Sequence, residues 1–217
     1  MSRLFVISDI HGHVAGARQL LKMACYTPGT DRLIMLGDYI NADSDVRKTL
    51  RTIRTLHTNG AVALAGNMER AYLLRHVCKN AIPIEGAATR KFLESMPLYH
   101  KRGSFLFVHA GIRPGVPLKG QREEDLVSIR QDFWGSRTAH AFNVIFGHTP
   151  TQNMGAEPGQ LWHGPQMLGI DTGAKHGHRL TLVEMTNRVA YSCSTNPDML
   201  YGDYRQTDWG AQSQLKG

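Results

Sequence analysis

The sequence predicts an α/β fold in which two β-sheets are flanked by helices. Short apolar, β-branched runs alternate with stretches of helical periodicity, and the last third of the chain is mainly a succession of strand-like runs. With 217 residues and 24.2 kDa the chain can bury a proper core, and we expect one domain over residues 1–194. Residues 195–217 lack apolar periodicity and end in a Gln/Ser/Gly-rich stretch, which favours a loosely ordered tail.

The first half of the chain predicts three strands, each followed by a helical stretch. We expect strands at 3–8, 32–36 and 61–65. Helical spacing of apolar residues predicts helices at 14–24, 44–57, 68–79 and 85–96. Asp43 or Ser44 is the expected cap of the second helix. Breaks at Pro28-Gly29 and Asn59-Gly60 separate these elements.

The second half predicts further strands and one more helix. We expect strands at 105–108, 143–146, 167–170, 179–185 and 189–194. Residues 101–104 read as a turn, the Pro- and Gly-rich segment 111–121 as a loop, and 123–134 as a helix. The last two strands are joined at Thr186-Asn187-Arg188, which predicts a hairpin.

The composition is that of a protein that neither spans a membrane nor carries an obvious nucleic-acid platform. No apolar run approaches the roughly 20 residues that cross a bilayer, and the chain enters its first strand without a signal-peptide pattern. The formal net charge of +7 is spread along the chain without basic runs, which favours attraction of phosphorylated substrates. Three isolated cysteines indicate reduced thiols, so we expect the cytoplasm.

Five predicted strands are followed by residues that commonly bind metals. Asp9 and His11 follow the first strand, and because alternate residues of an extended chain point the same way, the two side chains can meet. The other four strand ends carry Asp38, Asn67, His109 and His148; three of these adjoin a glycine, and His109 lies two residues before Gly111. In open α/β sheets ligands bind beyond the carboxyl ends of strands, so these side chains can converge on one cleft.

Six such side chains are too many for one tetrahedral ion with an open position. The set therefore predicts two divalent ions, and Asp38, central in order along the chain, is the expected bridging ligand. Mixed oxygen and nitrogen donors suit Mn²⁺, Fe or Zn²⁺ better than Ca²⁺ or Mg²⁺. Two close ions can hold a hydroxide and clamp a phosphoryl group, so we expect hydrolysis of a phosphoester or phosphoanhydride.

These motifs resemble those of the calcineurin-like metallophosphoesterases, and especially their phosphoprotein phosphatase branch. Residues 9–12 read D-I-H-G, 109–115 H-A-G-I-R-P-G, 128–133 S-I-R-Q-D-F, 147–150 G-H-T-P and 170–174 I-D-T-G-A. The resemblance runs from Asp9 to about Glu184 and implies a four-layer fold with two mixed sheets packed as a sandwich between helices.

The resemblance also implies roles for individual residues. It assigns Asp9 and His11 to the first metal, Asp38 as the bridge, and Asn67, His109 and His148 to the second metal. Arg113 and Arg130 are the candidates to bind phosphate oxygens, a task for which a planar guanidinium is suited. Asp171 is the candidate to orient the site through hydrogen bonds, with a turn-forming role as its alternative. The expected metal is Mn²⁺, with Fe or Zn²⁺ as alternatives.

The sequence departs from the branch at the group that protonates the leaving group. The family motif G-D-x-x-D-R-G appears as G-D-Y-I-N-A-D at 37–43, and G-N-H-E appears as G-N-M-E at 66–69. The resemblance assigns proton donation to the His that Met68 replaces, supported by the Asp that Asn41 replaces, and phosphate binding to the Arg that Ala42 replaces. A thioether cannot donate a proton, so leaving groups that need little protonation are favoured.

Three functions remain open at this stage. The first is a serine/threonine phosphatase-like enzyme that hydrolyses phosphomonoesters of phosphoproteins or small molecules. The second is hydrolysis of symmetrical dinucleoside tetraphosphates, or of phosphodiesters. The third is a metal- and phosphate-binding protein with little turnover, which Asn41, Ala42 and Met68 favour.

Overall fold

The structure, a computed structural model, describes residues 2–41, 45–78, 86–136 and 141–216. Its strands are β1 (Leu4–Ile7), β2 (Arg32–Met35), β3 (Val62–Ala63), β4 (Tyr99–Arg102), β5 (Phe105–Val108), β6 (Asn143–Phe146), β7 (Trp162–Gly164), β8 (Met167–Gly169), β9 (Arg179–Glu184), β10 (Val189–Ser194) and β11 (Arg205–Asp208). Its helices are α1 (Val14–Met23), α2 (Val46–Thr58), α3 (Asn67–Cys78), α4 (Gly86–Glu94), α5 (Glu123–Ser128) and α6 (Gln131–Trp134). Within the described ranges, no helix is long and apolar enough to cross a membrane.

The strands form two mixed sheets, as the sequence predicts. The first sheet has the order β11-β10-β9-β1-β2-β3, and β1, β2 and β3 are parallel within it. The second has the order β4-β5-β6-β8-β7, with β5, β6 and β8 parallel. The remaining strands pair antiparallel at the sides of these two parallel groups. Each sheet therefore has a parallel group whose carboxyl ends lie at one edge.

The alternation of side chains along β1 shows how the layers pack. Phe5 and Ile7 pack with Leu20 of α1 in a cluster on the helix side, whereas Val6 packs with Ile145 of β6 in the other sheet. Residues of α5 and α6 pack against the outer face of the second sheet. Because successive side chains of a strand point to opposite faces, apolar side chains cover both faces of each sheet. Helices, sheet, sheet and helices form four layers.

The helix predicted over 123–134 is interrupted. Ile129 is extended, with φ −61° and ψ 145°, so α5 ends at Ser128 and α6 begins at Gln131. The Ile129 side chain is buried in the cluster beneath the second sheet, and this tertiary contact outweighs the local helical tendency. The break directs the backbone at 128–130 toward His148, as described below.

Two edge strands and one helix cap differ from expectation. Four residues at Tyr99–Arg102 form β4, so the turn that we expected over 101–104 is confined to 103 and 104. Neither β4 nor the three-residue β7 has an apolar alternation, because both are short edge strands. The expected caps Asp43 and Ser44 lie outside the described residues, and the observed cap of α2 is Asp45, which accepts a hydrogen bond from Lys48 N at 2.9 Å.

The C-terminal segment is more ordered than the sequence predicts. Residues Arg205–Asp208 form β11 and pair antiparallel with β10, and Trp209 is buried between the sheets. Arg179 of β9 donates hydrogen bonds to the Asp203 carboxylate and main chain, which ties the segment to the sheet. All four residues of β11 are exposed, so the pairing rests on main-chain hydrogen bonds that leave no apolar period in the sequence.

Candidate metal centre

The first group of candidate ligands lies beyond the carboxyl ends of β1 and β2. Asp9, His11 and Asp38 each offer a ligand atom within 4.8 Å of the other two. His11 Nε2 lies 3.7 Å from Asp9 Oδ1 and 3.8 Å from Asp38 Oδ2. All three residues are buried. Asp9 and His11 come together as the sequence predicts, but both residues have a left-handed backbone, so a turn after β1 and not the alternation of an extended chain is the cause.

A second group shares Asp38 and is completed by the other sheet. Asp38, His109 and His148 also offer ligand atoms within 4.8 Å of one another. His109 Nε2 lies 3.4 Å from Asp38 Oδ1 and 3.1 Å from Asn67 Oδ1. The side-chain amide of Asn67 therefore adjoins this second group. The six predicted side chains thus form two adjacent groups with Asp38 in common.

Each imidazole is oriented by a main-chain carbonyl. His11 Nδ1 lies 3.2 Å from the Ile40 carbonyl oxygen, and His109 Nδ1 lies 3.1 Å from that of Leu36. For His148 it is Nε2 that lies 3.2 Å from the Ser128 carbonyl oxygen. A nitrogen that donates to a carbonyl leaves the other nitrogen with its lone pair for a metal. This arrangement sets which ring nitrogen of each histidine faces the centre.

Four of the candidate ligands have a strained backbone. Asp9, His11, Asp38 and His148 have φ values of 50°, 44°, 52° and 64°. Non-glycine residues seldom adopt this left-handed conformation, and it persists where surrounding structure enforces it. Main-chain hydrogen bonds do so here, from Asp9 N to Gly37 O at 3.1 Å and from His11 N to Asp38 O at 3.0 Å.

The glycines beside the ligands are required by close packing. A Cβ at Gly66 would collide with the side chain and main chain of Asp38, and one at Gly147 would collide with Ser8 Oγ and Asp9 Oδ2. Without these side chains, the loops of the two sheets come into contact, and His148 N donates to Asp9 Oδ2 at 2.9 Å. The pairing of ligand and glycine in the sequence therefore has a steric cause.

Glu69 is a site residue that the sequence reasoning missed. Its Oε2 accepts hydrogen bonds from Asp38 N and Gly66 N at 2.9 Å each, and its Oε1 accepts one from Tyr39 N at 2.9 Å. Glu69 is fully buried, and burial raises its pKa, although these main-chain N–H groups oppose the shift. Its place in G-N-M-E, where the family also has Glu, was the available signal.

The buried carboxylates of the centre lie close enough to repel one another, which changes their pKa values. Burial raises the pKa of Asp38 well above its ordinary value, and Glu69 and Asp9 raise it further. Burial and the charge of Asp9 likewise raise the pKa of Asp171. For Asp9 itself, the interactions with nearby histidines outweigh burial and lower the pKa. A cation placed among these groups would relieve their mutual repulsion.

The imidazoles of His109 and His148 are neutral at physiological pH. Burial lowers the pKa of His109 to about 4, and burial together with His109 and Arg130 lowers that of His148 to about 3. Neutral imidazole is the form that binds metals. Oriented neutral imidazoles beside carboxylates that repel one another are suitable ligands for divalent metal ions, so the chemistry of these side chains fits a metal centre.

A comparison of the sequence with protein families shows to which family the chain belongs. The profile of the calcineurin-like phosphoesterases matches residues 2–172, which is most of the chain and includes every strand end described above. The chain belongs to the calcineurin-like phosphoesterase family. Members of this family have a dinuclear divalent metal centre, in agreement with the two adjacent donor groups of Asp and His.

Relatives of this phosphoesterase include symmetrical bis(5'-nucleosyl)-tetraphosphatases. That of Aromatoleum aromaticum is 31% identical over 131 residues, covering 52% of this chain and 45% of the relative. That of Methylococcus capsulatus is 35% identical over 123 residues, covering 51% and 44%. The chain thus spans about half the length of these curated relatives. A crystal structure of a candidate diadenosine tetraphosphatase has the same fold, with a TM-score of 0.72, 23% identity, and coverage of 89% of this chain and 93% of that one.

The two arginines that the sequence proposes for phosphate binding differ in their surroundings. Arg130 lies at the break between α5 and α6, and its Nη1 is 3.5 Å from the main-chain oxygen of His148. The Arg113 guanidinium is instead held by Asp125 at 2.5 Å and by Asp132 at 2.9 Å. The structure therefore brings Arg130 to the centre, whereas Arg113 is committed to two carboxylates.

The remaining predicted residues of this phosphoesterase occupy defined places. Asp171 Oδ1 accepts a hydrogen bond from Gly173 N at 3.0 Å, and Asp171 is buried near Asp9. Met68 donates its main-chain N–H to Asp38 Oδ1 at 2.9 Å, while its side chain packs against the apolar cluster on the helix side. Asn41 is half-buried, and Ala42 lies outside the described residues.

Proposed function

We propose that this phosphoesterase hydrolyses the phosphoanhydride of symmetrical dinucleoside polyphosphates. The observation that carries the proposal is the pair of buried donor groups that share Asp38, in a chain that has Met68 where the family resemblance implies a proton-donating His. The names of the relatives from Aromatoleum aromaticum and Methylococcus capsulatus support the same substrate class. The phosphomonoester reading of the motifs has less support from the relatives.

The chain's own residues would divide the work as follows. Asp9, His11 and Asp38 would hold one divalent ion, and Asp38, Asn67, His109 and His148 the other, most simply as Mn²⁺ with Fe or Zn²⁺ as alternatives. When bound, two such ions supply an activated water nucleophile and stabilise charge on the phosphoryl oxygens. Arg130 would bind a phosphate oxygen, and Asp171 would orient the loop that follows β8 through its hydrogen bond with Gly173 N.

The nature of the leaving group favours an anhydride over an alkyl ester. Cleavage of a serine phosphate expels an alkoxide, which needs a proton, whereas symmetrical cleavage of a dinucleoside tetraphosphate expels a nucleoside diphosphate, which is already a stable anion. A general acid typically contributes about 10²–10⁴-fold to a rate. Met68 cannot supply it. The chain is thus better suited to a substrate whose leaving group departs unprotonated.

A substrate panel tests the proposal. Purified protein is loaded with Mn²⁺ and its kcat/KM is compared for diadenosine tetraphosphate, p-nitrophenyl phosphate and a phosphoserine peptide. We expect the tetraphosphate to be hydrolysed fastest and the peptide slowest, and Asp38→Asn to remove nearly all turnover. Faster hydrolysis of the phosphopeptide would establish the phosphomonoester reading instead, and absence of all turnover with metal bound would establish a binding protein.

The cellular setting remains part of the proposal. Cys25 and Cys193 are free thiols among the side chains that the structure describes. Free thiols persist in reducing compartments, which supports the cytoplasm as the site of action. The partner that we expect there is a small phosphorylated substrate.

A further inference from the structure

A cavity of about 660 Å³ adjoins the second donor group. Ser128 and Arg130 form part of its wall, and both contact His148, through the Ser128 carbonyl oxygen at 3.2 Å and Arg130 Nη1 at 3.5 Å. Ligand pockets usually have volumes of about 300–1,000 Å³. When the reacting phosphorus of a substrate lies at the metal ligands, the rest of the substrate can therefore occupy this adjoining cavity.

The positive charges of the cavity are not equally available to a ligand. Arg113 forms ion pairs with Asp125 and Asp132, and these carboxylates compensate the positive charge of its guanidinium. Arg122 and Arg130 also line the cavity, and the structure shows no ion pair for either within its described ranges. These two side chains are free to bind phosphate oxygens. Arg130 lies at the end next to His148.

The rest of the lining is unsuited to a chain of phosphates alone. Asp125 and Asp132 are paired with Arg113, whereas Glu124 brings to the wall a carboxylate without an ion pair among the described residues, which would repel an inorganic polyphosphate. Carboxylates and the amide of Gln131 can instead accept hydrogen bonds from sugar hydroxyls and base amino groups. Val116, which is partly exposed at the wall, adds apolar contact for a flat ring. The lining thus combines acceptors for a nucleoside with cations for its phosphates.

We propose that this cavity binds the nucleoside diphosphate half of the substrate. The inference rests on the proposed function and extends it, because it assigns recognition of the nucleoside to α5 and to the segment between β5 and α5 that contains Val116. Phosphates lie toward Arg130 and Arg122, and the ribose and base lie among the carboxylates and Val116. The cavity in this way distinguishes a nucleotide from pyrophosphate, which offers the same phosphates without the nucleoside.

The test measures binding directly. Isothermal titration calorimetry on the Mn²⁺-loaded protein compares the dissociation constants of ADP and pyrophosphate, with Mn²⁺ at the same concentration in both solutions. We expect ADP to bind more tightly, and Val116→Trp, which fills the cavity without changing charge, to weaken ADP about tenfold more than pyrophosphate. Arg122→Ala should weaken both ligands roughly tenfold, as expected for loss of a charge-assisted hydrogen bond.

Controls separate this inference from the proposed function. Arg32 is exposed at the amino end of β2, the opposite edge of the sheet, and Arg32→Ala removes the same charge without an expected effect on ADP binding. Equal affinity for ADP and pyrophosphate, or unchanged ADP binding in Val116→Trp with native circular dichroism, would overturn the inference. Selective loss of ADP binding would support it even in a protein that hydrolyses no tetraphosphate, a result that would reject only the proposed reaction.

Discussion

Among single residues, Glu69 has the widest influence on the geometry of the metal centre. Its two carboxylate oxygens together accept hydrogen bonds from main-chain N–H groups at both strand ends that supply Asp38 and Asn67. Such a residue positions ligands without touching the metal. Groups that orient ligands in this way typically change metal affinity about 10–100-fold when they are altered.

Glu69→Gln is expected to weaken Mn²⁺ binding by roughly tenfold or more. Gln has one acceptor oxygen and one amide NH₂, so in either orientation a buried main-chain N–H would face another donor. Calorimetric titration of Mn²⁺ into the metal-free protein measures the effect. Glu94→Gln, an exposed change in the ion pair with Arg90, is the matched control. Unchanged Mn²⁺ affinity in Glu69→Gln would show that the hydrogen bonds do not position the ligands.

The loss of the acid pair leads to a second prediction at the same scale. Met68→His combined with Asn41→Asp should raise the turnover of alkyl phosphates by at least roughly tenfold, within the usual contribution of a general acid. Aryl phosphates should respond less, because their leaving groups need little protonation. Parallel assays with phosphoserine and p-nitrophenyl phosphate measure the difference, with Met68→Leu as control. Equal gains for the two substrates would contradict the assignment.

At the scale of elements, the break between α5 and α6 joins the fold to the site. Because Ile129 is extended, the Ser128 carbonyl and the Arg130 guanidinium both reach His148. A continuous helix would have engaged the Ser128 carbonyl in its own ladder. The interruption therefore supplies both a hydrogen-bond acceptor for an imidazole and a cation at the centre.

The C-terminal strand β11 also contributes more than the sequence suggests. Trp209, 3% exposed, packs with Val183 and Ala190 in the cluster between the sheets. Trp209→Ala is expected to lower the free energy of unfolding by about 3–5 kcal/mol, the usual cost of removing a buried aromatic ring. Urea denaturation measures this. Met199→Ala, at a position that is 56% exposed, should change it by less than about 0.5 kcal/mol. Similar effects of both changes would mean that the segment is loosely ordered after all.

For the whole molecule, the electrostatics of the centre couple metal binding to pH. The pKa of Asp38 is raised in the metal-free fold, so between the ordinary Asp pKa and this raised value the folded state binds more protons than the unfolded state. The contribution of Asp38 to the free energy of unfolding of the metal-free protein therefore falls as pH rises through this window. His109 and His148, whose pKa values are lowered to about 4 and 3, contribute in the opposite direction below the ordinary His pKa and are neutral near pH 7.

The stabilisation by Mn²⁺ is accordingly expected to increase from pH 5 to pH 7. A bound cation removes the penalty of ionised Asp38, and at 100 times its dissociation constant one ion adds about 2.7 kcal/mol. Thermal unfolding with Mn²⁺ and with a chelator, at pH 5, 6 and 7, measures the difference in Tm. Asp38→Asn should flatten this dependence. A difference in Tm that is constant or falls with pH in the unaltered protein would contradict the electrostatic account.

The sequence alone determined the two-sheet α/β class and the six candidate ligands. Both depend on local signals: apolar runs of strand length, and Asp, Asn or His beside glycine where those runs end, as at Asp38 and His148. The steric need for Gly66 and Gly147 explains why the second signal is visible in the chain. Periodicity and steric limits of this kind depend on residues that are neighbours in the sequence. The fold class and the candidate ligands could therefore be predicted without the tertiary structure.

Only the tertiary structure decided how Glu69, Arg113 and Arg130 are used and that β11 closes the first sheet. The carboxylates that hold Arg113, the carbonyls that orient His109 and His148, and the partner strand of β11 come from other parts of the chain. Hydrogen bonds and ion pairs between distant residues leave no periodic pattern in either segment. Their partners are selected by the packing of the two sheets, which brings the strand ends together.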